Sequence, residues 1–140
     1  MPIMNKDKLV NLSSRMQGLA IELYKLTNQQ TKLDQFMLKD IRKTSVYLYT
    51  NSASMVESDT EKDIFRELAK YGSLRSMLIE LNARLLMCFQ LGMLNSDVCI
   101  DFGFQLEEMK TEIQVYYDIA REDFEKNHPF NNFDDDEEED

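Results

Sequence analysis

Apolar residues recur along this chain at alternating steps of three and four. In the first segment Leu9, Leu12, Met16, Leu19, Leu23 and Leu26 keep that rhythm. The spacing holds side chains on one stripe of an α-helix and is incompatible with the two-residue period of a strand. It predicts helix 1 from a cap at Asn5 to about Leu26, where Thr27-Asn28-Gln29-Gln30 breaks the stripe. Helix 2 is predicted to open at Thr31, with Asp34 completing a short capping box. Its main stripe is Met37, Ile41, Thr44, Leu48, Asn51 and Met55, and a second, Val46, Tyr49, Ala53 and Val56, lies on a neighbouring face. A helix apolar on two faces is either the central element of a small bundle or half of an oligomer interface.

Ser58 and Glu61 stand at capping-box spacing and open helix 3, whose stripe is Tyr71, Leu74, Leu78, Leu81, Leu85 and Cys88. Gly92 is placed to close that helix in a left-handed conformation, with Met93 supplying the accompanying apolar contact. Asn95 or Ser96 then caps helix 4, which carries Phe102, Leu106, Met109, Ile113, Tyr116 and Ala120 and ends before Pro129. Gly72 and Gly103 interrupt helices 3 and 4 and weaken each by about 1 kcal/mol relative to alanine. Four such stripes on one short chain must bury one another, and the connections are short. The predicted fold is therefore all-α: an antiparallel, up-down-up-down, left-handed four-helix bundle over residues 1–128, followed by an acidic, disordered tail at 129–140.

Length and charge fit that picture. A single domain of 140 residues buries roughly 70% of its unfolded surface, enough to stand without disulfides or metal. Cys88 and Cys99 sit among apolar neighbours and read as buried free thiols of a reducing compartment. The amino terminus lacks the apolar core of a signal peptide, and the longest uncharged stretch, Thr44 to Val56, is only 13 residues. The expectation is a cytoplasmic protein with no membrane partner. The net charge is −10, but residues 134–140 are all acidic, and the remaining 19 acids against 16 bases leave −3 on residues 1–133. The acidity is largely a solubilising tail.

Candidate chemistry is sparse. His128 is the only imidazole, so no zinc site, di-iron Glu-x-x-His pair or Ser/His/Asp set can be assembled, and no glycine-rich phosphate loop appears. No catalysis and no cofactor are expected. Glu80 and Arg84 stand at i, i+4 and can form a helical ion pair, or a partly buried link that sets helix register. Asn51 on an apolar stripe is a candidate buried polar residue that specifies one pairing arrangement. Arg42 and Lys43 on helix 2, and Lys62, Arg66 and Lys70 at successive steps of four on helix 3, are candidate phosphate contacts. Interleaved Glu61, Asp63 and Glu67 dilute that second group. Symmetric assembly would turn a weak patch into a ring of charge.

From helix 2 onward the sequence resembles the small bacterial four-helix-bundle proteins encoded in intervening sequences of 23S ribosomal RNA genes. That family also takes in the accessory variability determinant of diversity-generating retroelements. The resemblance rests on Ile41-Arg42-Lys43-Thr44-Ser45-Val46, Asn51-Ser52-Ala53, Glu80-Leu81, Leu85 and Leu91-Gly92-Met93-Leu94, with Ala20-Ile21-Glu22-Leu23-Tyr24 similar in kind. Tyr49 stands where the family often has proline, and Ser54-Met55 where it has Glu-Gly. The resemblance implies a homo-oligomer, a pentameric ring. The retroelement branch is basic and binds nucleic acid and a reverse transcriptase, a pattern this acidic chain falls outside. The resulting expectation is a self-associating, non-enzymatic scaffold or binding module that contacts other proteins. The alternative is an oligomer that binds RNA or DNA, with the acidic tail as competitor.

Overall fold

The structure, a computed structural model, describes residues 5–30, 32–56 and 64–127. Four helices account for nearly all of them: α1 (Lys6–Gln29), α2 (Gln35–Ser54), α3 (Ile64–Gln90) and α4 (Ser96–Asn127), with no strand among the described residues. Contacts are most extensive within the α1–α2 and α3–α4 pairs, smaller between α2 and α3, and slightest between α1 and α4. The late part of each helix faces the early part of the next. Ser13 meets Ser52 while Arg42 meets Thr27, and Phe65 meets Phe124 while Leu85 meets Cys99.

The core is built from the stripes. Leu9, Leu12, Met16, Leu19, Leu23 and Leu26 of α1 are all buried, as are Tyr71 through Cys88 on the α3 stripe and Leu106, Met109, Ile113, Tyr116 and Ala120 on α4. Each fully buried leucine or isoleucine contributes about 1.5–3 kcal/mol of transfer free energy. Phe102, the first residue of the α4 stripe, is only partly buried.

Helix ends differ from the pattern where side chains intervene. Asn5 caps α1 by accepting a hydrogen bond from Lys8 N at 3.1 Å, but the helix does not stop at Leu26. It continues to Gln29 because its polar last turn is occupied: Arg42 Nε donates to Thr27 Oγ1 at 2.8 Å, and Arg42 Nη2 donates to Asn28. The cap of α2 is Asp34 itself, which accepts from Met37 N at 2.8 Å, and not Thr31, which lies outside the described residues. The Ser58–Glu61 box, His128, Pro129 and the acidic run also lie outside them.

Gly92 closes α3 with φ 77°. Met93 N donates to Cys88 O at 2.8 Å and Gly92 N to Phe89 O at 3.0 Å, the paired bonds of a Schellman cap. Asn95 caps α4 through a bond from Val98 N at 2.9 Å. The two glycines that weaken α3 and α4 have a packing reason. A side chain at Gly72 would start 3.2 Å from the Tyr117 ring, and one at Gly103 would start 3.1 Å from Asn82 Oδ1. Each helix of this pair therefore places a glycine against a side chain of the other.

Helix 2 needs the largest revision. Asn51 does not enter the core: it is half-buried, and its amide donates to Tyr47 O of its own helix at 2.7 Å. The buried polar residues of α2 are Thr44, Ser45 and Ser52, which return their hydroxyls to Asp40 O, Ile41 O and Leu48 O, and the buried Ser13 of α1 donates to Ser52 O at 2.6 Å. A hydroxyl closes this bond without forcing an amide into the apolar stripe. Only the first half of the second stripe is left uncovered: Val46 is 48% exposed and Tyr49 40%, whereas Ala53 and Val56 are partly buried and Val56 packs against the core.

No helix is long and apolar enough to cross a membrane among the described residues.

Candidate interaction surface

Two surfaces stand out once the core is subtracted. The first is a groove of about 250 Å³ between α1 and α2. Its floor is Ala20 and Ser45, both buried and both small, so the helices leave a trough above them. Ile21 and Tyr24 form one wall, and Val46 and Tyr49 of the second stripe form the other. At one end the Arg42 guanidinium lies over the Tyr24 ring, 5.5 Å from its centroid, and fixes that wall. Lys25 lies at the rim within 3.7 Å of Glu22, and Lys43 sits over Tyr47 at 5.8 Å.

The second surface is a ridge along α3 and α4. Asn82 meets Gly103 across the pair. On the outer side of that contact, Ile79 and Leu86 flank Asn82 at helical spacing, and Ile100 and Phe104 flank Gly103. Ile100 is 69% exposed and Phe104 71%, while Ile79 and Leu86 are about half exposed.

The candidate residues divide differently from the sequence grouping. Arg42 is engaged by the last turn of α1, and Lys70 Nζ donates to Ser54 O at 3.0 Å, tying α3 to the end of α2. Twelve residues of α2 separate these two anchor points, about 18 Å along the helix axis, so the structure does not bring the basic groups together. Lys43 and Arg66 are exposed, and Lys62 lies outside the described residues. Glu80 does approach Arg84, at 3.6 Å, but the closer partner of Arg84 is Asp40 of α2, at 2.5 Å. Asp40 was not singled out by sequence, because nothing in its spacing says which α3 residue it will face. Ile21, Tyr24, Ile79, Leu86, Ile100 and Phe104 were also missed. Their one signal is that they are large apolar residues left over after each core stripe is assigned.

Among the described residues no three His, Cys, Asp or Glu side chains converge as metal ligands. Burial pushes the Cys88 thiol up, with the nearby Cys99 adding to it, and burial likewise raises Cys99, whose Sγ donates to Leu85 O at 3.2 Å. Raised thiols are poor nucleophiles at neutral pH. Burial also lifts the Tyr71 hydroxyl well above its ordinary range, and the Glu67 charge adds to it. These groups stay neutral and belong to the core. The chain matches no protein-family model, and comparison with characterised proteins and with solved structures gives no match.

Proposed function

We propose that this chain is a self-associating, non-enzymatic scaffold, an up-down-up-down, left-handed four-helix bundle that acts in the cytoplasm through protein–protein contacts. The observation that carries this reading is the pair of apolar surfaces. Large side chains such as Tyr49, Val46, Ile100 and Phe104 are 40–71% exposed on two separate faces of a bundle whose core is already filled. Large apolar side chains that gather on one face, rather than being scattered singly, mark interaction sites. The crosswise pairing of Ser13 with Ser52 and of Phe65 with Phe124 supports the alternating helix directions. The resemblance to the intervening-sequence proteins is in keeping with assembly and adds the expectation of a pentameric ring. Sedimentation velocity of the whole chain across a concentration series tests the reading. A species of several times 16.5 kDa is the expected result, and a monomer at every concentration overturns it.

A further inference from the structure

We propose that the α3–α4 ridge of one copy docks into the α1–α2 groove of the next, so that the contact between subunits is head-to-tail. This rests on the self-association reading and specifies which faces meet. Two observations assign the occupant. The first is shape. The groove is a trough of about 250 Å³ floored by alanine and serine, room for whole side chains when a water occupies ~30 Å³. The ridge offers protruding side chains to fill it, Ile100 at 69% and Phe104 at 71% exposure. The second is charge. Beside the groove Lys25 and Arg42 outnumber Glu22, while within four residues of Ile79, Leu86, Ile100 and Phe104 the acids Glu80, Asp97, Asp101, Glu107 and Glu108 outnumber Arg75 and Arg84. Opposite potentials favour groove against ridge and disfavour groove against groove or ridge against ridge, where like charges would be brought together.

The contact pairs two different patches, so it is heterologous: it repeats from copy to copy and closes into a ring where successive rotations allow. A self-pairing groove would instead stop at a twofold dimer.

Complementation separates these arrangements. Val46→Glu places a carboxylate in the groove wall and Phe104→Glu places one on the ridge crest. Both positions are exposed in the single copy, 48% and 71%, so helix content should match the parent chain and report any misfolding, while the thermal midpoint falls only by the stabilisation that assembly supplies. Ile21→Glu and Ile100→Glu form an independent second pair of variants. Each variant alone should lose assembly and behave as a monomer in native mass spectrometry. Mixed in equal amounts, Val46→Glu and Phe104→Glu should form a one-to-one heterodimer and nothing larger, because one intact ridge and one intact groove remain between them. If the parent chain assembles but the mixture stays monomeric, or if either variant alone still assembles, the assignment of faces is wrong while self-association stands. A monomeric parent chain overturns both, and leaves groove and ridge to partners other than a second copy.

Discussion

At Gly18 an added methyl group would meet nothing within 4 Å, whereas at Gly72 and Gly103 it would crowd Tyr117 and Asn82. All three lie inside helices, where alanine is favoured over glycine by about 1 kcal/mol. Gly18→Ala should therefore raise stability by about that amount in urea unfolding. Gly72→Ala and Gly103→Ala should show no gain, because the helix pair must move apart to admit the methyl. An equal gain at all three positions would mean that the close approach of α3 and α4 does not depend on these glycines. The distinction is invisible in the sequence, where each glycine is only a weak point in a helix. What decides its effect is the side chain opposite, and that residue is about 21 to 45 positions away in the chain.

Pairing between elements is decided by a few polar contacts laid over the apolar stripes. Arg84 reaches Asp40 of α2 at 2.5 Å, and its Nη1 has no hydrogen-bond partner among the described residues although Glu80 lies 3.6 Å away. Removing the closer carboxylate leaves a half-buried guanidinium with a distant partner. Asp40→Ala should cost about 1–3 kcal/mol in urea unfolding, while Glu80→Ala should cost no more than about 0.5 kcal/mol, as for an exposed helical pair. A larger loss at Glu80 would contradict the geometry. The elements themselves were legible from the three-and-four rhythm, and the ends at Asn5 and Gly92 from residue type. The length of α1 was not, because its polar last turn is held by Arg42 from the next helix. The expected burial of Asn51 was not met for a related reason. An apolar stripe has width, and a residue at its margin can turn its amide back to its own backbone.

For the molecule as a whole, the described candidate cations are spread along the bundle rather than gathered on one patch. Arg42 is engaged by the last turn of α1 and Lys70 by the end of α2, about 18 Å apart along the α2 axis, and the full chain carries −10. Fluorescence anisotropy with duplex DNA and with structured RNA should show no binding by the whole chain or by residues 1–133 at moderate salt. Binding that weakens steeply with salt would restore the nucleic-acid reading. The two apolar surfaces, by contrast, came into view only when four stripes had been packed and the leftover side chains could be seen to gather. The uneven closeness of the helices also bears on how the chain folds. Each tight pair joins residues near in sequence, so forming it closes a short loop at small entropic cost. The α1–α4 seam joins regions almost a hundred residues apart through Arg15 and Glu112. The expected consequence is that this seam closes last and opens first: native-state hydrogen exchange should show amide protons beside it exchanging through openings that leave the two tight pairs intact, and equal protection throughout the bundle would contradict it.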